Sequence, residues 1–142
     1  MFNFDFYNPT RIVFGKDTVA KIDELIPEHA RVLVLYGGAS AELTGTLAEV
    51  RQALGQREVH EFGGIEPNPT FETLSNAVTL VRAENIDFLL AVGGGSVIDG
   101  TKFVASAAHF EGEDTWQILE AWGSNITKAV PFGVVLTLPA TR

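Results

Sequence analysis

The chain has 142 residues, 46% of them apolar and 20% charged, with a net charge of −8 and no cysteine. This profile fits one folded domain with a real core, and it excludes disulfides, thiolate metal sites and cysteine nucleophiles. An acidic surface repels nucleic acid and anionic membrane, so neither is an expected partner. No signal peptide or bilayer-length apolar run is present, so a cytoplasmic location is expected.

Phe2, Phe4 and Phe6 alternate with Asn3, Asp5 and Tyr7, which predicts a half-exposed strand. Asn8-Pro9-Thr10 turns the chain, and residues 11–14 predict a second strand closed by Gly15, the pair forming a hairpin or an edge ribbon for another subunit. A helix is predicted over 16–26, with Val19, Ile22, Leu25 and Ile26 on one face and Pro27 just beyond. Residues 31–36 are a continuous apolar run of strand length, as expected where both faces are covered. After Gly37, Gly38, Ala39 and Ser40, a helix over 43–54 would bury Leu43, Leu47, Val50 and Leu54.

Residues 58–62 predict a more polar strand, and Pro67 and Pro69 stiffen the loop around Asn68. A helix over 70–83 would turn Leu74, Ala77, Val78 and Val81 inward. Residues 88–92 are the most apolar strand and are expected at the sheet centre. Helices over 96–108 and 115–119 and a strand over 130–138 complete the prediction, with Trp116 and Trp122 read as packing residues. This alternation predicts an α/β fold with a parallel sheet, helices on both its faces and an N-terminal β-ribbon.

In parallel sheets ligands bind outside the carboxyl ends of the strands. That rule brings together the segments after four strands: 37–40, 63–69, 93–96 and 137–141. Gly93, Gly94 and Gly95 would let the backbone approach a ligand, and the N–H groups opening the next helix favour a pyrophosphate. Ser96 would cap that helix or donate to a phosphate oxygen. Asp99 would face the pocket or close an S-x-x-D capping box with Ser96, and Lys102 would reach a phosphate or pair with a carboxylate.

The turn at Gly37, Gly38 and Ser40 carries no acid to grip ribose hydroxyls, which favours NADP over NAD. Thr137 and Thr141, flanking Leu138 and Pro139, offer hydroxyls to a ribose or phosphate. His29, His60 and His109 lack the spacing of a metal site, and no Ser-His-Asp order, carboxylate pair or Walker lysine is present.

The runs NPTRIVFGK (8–16), EFGGIEPNPTFETL (61–74), FLLAVGGGSVIDGTKF (88–103) and LTLPAT (136–141) resemble the iron-containing, or group III, alcohol dehydrogenases. The resemblance is nearest to the branch of NADPH-dependent aldehyde reductases and butanol dehydrogenases. It implies a two-domain homodimeric enzyme: an N-terminal, Rossmann-like dinucleotide-binding domain, and a helical domain whose one Asp and three His hold a catalytic iron or zinc ion. Gly94, Gly95 and Ser96 would contact the pyrophosphate, and Gly37, Gly38 and Ser40 would border the adenosine ribose. Asp99, Thr137, Leu138 and Thr141 would line the cofactor, and the N-terminal ribbon would join subunits.

The relatives continue where this chain stops at Arg142, so residues 1–142 are expected to form the cofactor-binding domain alone, with no catalytic or metal-ligating residue. Hydride transfer between nicotinamide and an aldehyde or primary alcohol would belong to the full-length enzyme. The 142-residue chain would bind NADPH weakly or not at all and turn over no aldehyde. The alternative is a stand-alone, non-catalytic nucleotide-binding or interaction module.

Overall fold

The computed structural model describes residues 3, 5, 7–110, 114–120 and 128–137. Strands β1 (Arg31–Tyr36), β2 (Glu58–Phe62), β3 (Phe88–Gly93) and β4 (Phe132–Leu136) form a wholly parallel sheet in the order β2-β1-β3-β4. The order follows from polarity. β1 and β3 are buried along almost their whole length and take the centre. β2 keeps Glu58 and Glu61 exposed and lies outside β1, and β4 alternates along its length outside β3.

The helices are α1 (Ile22–Leu25), α2 (Ser40–Leu43), α3 (Thr46–Leu54), α4 (Phe71–Ala83), α5 (Gly95–Ala107) and α6 (Trp116–Glu120). One core layer packs Leu33, Leu35, Leu89 and Ala91 against α4 and α5, through Leu74, Ala77, Val78 and Val104. The other packs Val32, Val34, Leu90 and Val92 against α1 and α3, through Ile22, Leu47, Val50 and Leu54. The period of two along each central strand thus sends alternate side chains into two separate cores. Gly100 lets α5 approach α4, since a Cβ there would lie 2.9 Å from Leu74 Cδ2.

The helix predicted over 70–83 forms as α4, with Thr70 as its N-cap: the Thr70 hydroxyl accepts from the Thr73 N–H. Three expectations are corrected. First, residues 11–14 form no strand, and Ile12 and Phe14 stand 82% and 99% exposed. The described part of the chain offers this segment neither a ladder partner nor an apolar surface, without which a short ribbon has no stability. Tyr7 is likewise outside any strand, and Phe2, Phe4 and Phe6 lie outside the described residues.

Second, the helix predicted over 16–26 is a 3-10 turn (Thr18–Lys21) running into α1, after a left-handed Asp17. The tighter turn rotates Leu25 out of the apolar face and leaves Ile22 and Ile26 buried. Third, the helix predicted over 43–54 breaks at Thr44 and Gly45. Gly45 takes φ +80°, so Leu43 ends α2 and is exposed, while Leu47, Val50 and Leu54 are fully buried on α3. Trp116 packs edge-on against Phe71 at the start of α4, with ring centroids 5.1 Å apart; Trp122 lies outside the described residues.

Candidate functional site

The connection from β1 leads to β2 on one side of the sheet, and that from β3 leads to β4 on the other. The carboxyl ends of β1 and β3 therefore flank the switch point, where a crevice for ligands opens in folds of this kind.

On the β3 side the chain leaves the sheet through Gly93 at φ +154°. A Cβ there would lie 2.9 Å from Val97 Cγ2, so only glycine fits. Gly94 is the N-cap of α5 and provides no side-chain cap. The Gly94 carbonyl accepts from the Ile98 N–H at 3.1 Å, while the N–H groups of Gly95, Ser96 and Val97 have no partner among the described residues. A Cβ at Gly95 would meet nothing within 4 Å. A 13-residue helix thus presents the positive end of its dipole and three free donors to open space.

The capping box expected of Ser96 and Asp99 does not form, because α5 starts at Gly95 and Ser96 is already inside it. The Ser96 hydroxyl instead accepts from the Asn68 N–H at 3.2 Å and keeps its own proton to donate. Asp99 is one turn further on, exposed, with a carboxylate oxygen 3.9 Å from Lys102 Nζ.

On the β1 side, the Gly37 carbonyl accepts from the Gly64 N–H at 2.8 Å and the Tyr36 carbonyl from the Ile65 N–H at 3.2 Å. A Cβ at Gly37 would lie 3.2 Å from the Ile65 carbonyl oxygen and 3.6 Å from Val97 Cγ2; at Gly38 it would meet nothing. Ser40 is the first residue of α2. On the β4 side, the Thr137 N–H donates to the Gly93 carbonyl at 3.2 Å. The four strand-end segments therefore meet by direct bonds and contacts through Gly37, Gly93, Ser96 and Thr137. Leu138 and Thr141 lie outside the described residues.

Two features of this end escaped the sequence reading. Glu66 accepts from the Thr70 N–H at 2.9 Å and the Thr73 hydroxyl at 2.8 Å. The Thr70 N–H bond, with Glu66's own N–H and the Thr73 hydroxyl behind it, holds the carboxyl down at about 2. This braces the loop in which Asn68, at φ +53°, reaches Ser96. The signal was the spacing E-x-x-x-T-x-x-T in residues 66–73.

The second feature is a charge cluster beside the β1 turn. Arg51 makes two-pronged bonds both to Glu61, at 2.7 and 2.8 Å, and to Glu42, at 2.7 and 3.3 Å. Hydrogen bonds from Arg51 hold both carboxyls below their ordinary range, and those to Glu61 and then Glu42 raise the guanidinium. These residues sit on separate elements, so no local spacing announces them.

An open cleft of about 430 Å³ lies elsewhere, between the start of α1 and the outer side of α3, and shares no residue with the strand ends. The ligand set of one Asp and three His does not come together among the described residues. Glu58, His60 and Glu84 place ligand atoms within 4.8 Å of one another, but they include one histidine and no aspartate, and Arg31 already holds Glu58. These residues do not fit such a metal. No helix among the described residues is long and apolar enough to cross a membrane.

The sheet order, the switch point and the glycine turn opening α5 define a Rossmann-like α/β domain. The family described as iron-containing alcohol dehydrogenase matches residues 9–142, and the chain belongs to it. It is 58% identical over 142 residues to the NADPH-dependent aldehyde reductase YqhD of Escherichia coli K12, covering 99% of this chain and 37% of that protein. It is 44% identical over 144 residues to the probable NADH-dependent butanol dehydrogenase 1 of Bacillus subtilis 168, with the same coverage. The crystal structure of YqhD superposes with a TM-score of 0.94, over 98% of this chain and 36% of that one. That of NADH-dependent butanol dehydrogenase A from Thermotoga maritima is 40% identical with a TM-score of 0.88, over 98% and 35%. The chain thus spans little more than a third of the relatives it matches.

Proposed function

We propose that residues 1–142 are the dinucleotide-binding domain of an NADP(H)-dependent alcohol dehydrogenase or aldehyde reductase. The observation that carries this reading is the uncapped start of α5 behind Gly93, Gly94 and Gly95, open to space at the switch point. A pyrophosphate there would take the free N–H groups and the Ser96 hydroxyl, and would sit at the positive end of α5. Gly37, Gly38 and Ser40 would border the adenosine ribose, with Asp99, Thr137, Leu138 and Thr141 along the remaining wall.

NADP(H) is the preferred cofactor in this reading. The turn 37–40 carries no acid to bind a free 2′-hydroxyl or repel a 2′-phosphate, and the relative at 58% identity bears the name of an NADPH-dependent enzyme. The bound cofactor would supply hydride to, or take it from, an aldehyde or primary alcohol, and this chain's residues would bind and orient it. The iron or zinc ion belongs to the helical domain of the full-length enzyme, which would work as a cytoplasmic homodimer.

The test is calorimetric titration of this chain with NADPH and NADH, with Gly95→Asp as control. The open space at Gly95 accepts the new side chain, and an acid near a helix start does not destabilise it. Weak NADPH binding, weaker NADH binding and loss of both in Gly95→Asp are expected, with no aldehyde reduction by the isolated chain. Unchanged binding in Gly95→Asp overturns the site, and equal affinities overturn the preference.

A further inference from the structure

The glycine turn after β1 lacks an acid, and that absence alone gives a 2′-phosphate nothing to bind. Arg51 is the cation placed to change this. Its guanidinium is bracketed by the two ends of the turn. Glu61 lies on β2, opposite Val34 of β1, two residues before Tyr36 and the start of the turn. Glu42, on α2, follows the turn two residues after Ser40.

The kind of partner Arg51 takes separates it from the other paired arginines. Arg57 is almost wholly buried and donates to the carbonyls of Asp23, Ile26, Pro27 and Leu54. Arg31 donates to the Glu84 carbonyl, and Arg82 to those of Ala107 and Ala108. Those three tie the main chain together. Arg51 is 39% exposed, and among the described residues it donates only to carboxylates. A guanidinium fork that fits two carboxylates also fits a phosphate. The Glu42 end is the exchangeable one: its side chain is 47% exposed against 30% for Glu61, and α2 is a single turn ending just before Thr44 and Gly45.

We infer that Arg51 is a specificity-determining residue that reads the adenosine 2′-phosphate, held in place by Glu61, with Glu42 as the ligand the phosphate displaces. This rests on the cofactor reading above and deepens it. Glu42 thereby tempers the preference, because the phosphate must compete with it.

Two probes that differ only in the 2′-phosphate isolate the effect: adenosine 2′,5′-bisphosphate and adenosine 5′-monophosphate, titrated calorimetrically into the chain. The wild type is expected to bind the bisphosphate more tightly. Arg51→Gln should reduce that margin about tenfold, as loss of a charge-assisted bond implies, and leave the monophosphate unchanged. Glu42→Gln keeps the Arg51–Glu61 pair and should widen the margin several-fold. A structural role alone cannot move the two variants in opposite directions, and circular dichroism melts monitor folding. If the monophosphate binds and neither variant changes the margin, or if Arg51→Gln weakens both probes equally, the inference falls alone. If neither probe binds the wild type, the cofactor reading falls and takes this one with it.

Discussion

The two glycine turns at the switch point look alike in sequence and are built differently. After β3, Gly93 turns the chain at a positive φ pressed against Val97, and the helix behind it is long, uncapped and open at Gly95. After β1, Gly37 is pressed against the Ile65 carbonyl, the following helix lasts one turn, and side chains rather than main-chain donors set the local charge. A phosphate cradle can be made from backbone alone, since N–H groups and a helix dipole are supplied by any residue type. Discrimination between two ligands needs side chains, because only they differ from one protein to the next.

This contrast is sharpened first by Gly93→Ala. The positive φ and the contact with Val97 make this the costlier change of the two turns, at about 1–3 kcal/mol, read as a fall of several degrees in Tm. Full stability would break the claim that this turn is a steric requirement. Gly37→Ala should cost less, about 1 kcal/mol, because the Ile65 carbonyl needs to shift by only a few tenths of an ångström. A larger loss than at Gly93 would reverse the ranking.

The smallest effect concerns Glu66, which joins the turns through Asn68 and Ser96. Its carboxyl titrates at about 2 in the folded chain against an ordinary value of 4.5. A lowered carboxyl pKa adds stability that is complete above the unfolded value, so this contribution should persist at neutral pH and fade as pH falls from 4.5 towards 2. Trp116 fluorescence, next to Phe71 at the start of α4, would follow the loosening. Glu66→Gln should remove that pH dependence. An unchanged acid transition in the variant would show that Glu66 does not brace the loop.

Much of this was legible in the chain itself. The apolar runs at 31–36 and 88–92 marked the central strands, because a strand covered on both faces must be apolar throughout. Leu74, Ala77, Val78 and Val81 marked the buried face of α4 by helical spacing. The reading failed at Leu25 and Leu43, where a 3-10 turn and a positive-φ glycine shifted the phase of an otherwise good pattern. It failed at 11–14 because strand pattern says nothing about whether a partner is at hand. At the strand ends the capping alternative for Ser96 failed, since Ser96 lies inside α5 and its hydroxyl accepts from Asn68, 28 residues away.

The sequence by itself determined the alternation of strand and helix, the two covered strands and the glycine turn between β3 and α5. These depend on side-chain periodicity and on backbone freedom, both local properties. Only the tertiary structure decided that Asn68 meets Ser96, that Val97 lies beside Gly37, and that Arg51 stands between Glu42 and Glu61. Those pairings arise when the parallel sheet draws the carboxyl ends of separated strands to one edge, an arrangement that no short window of residues contains.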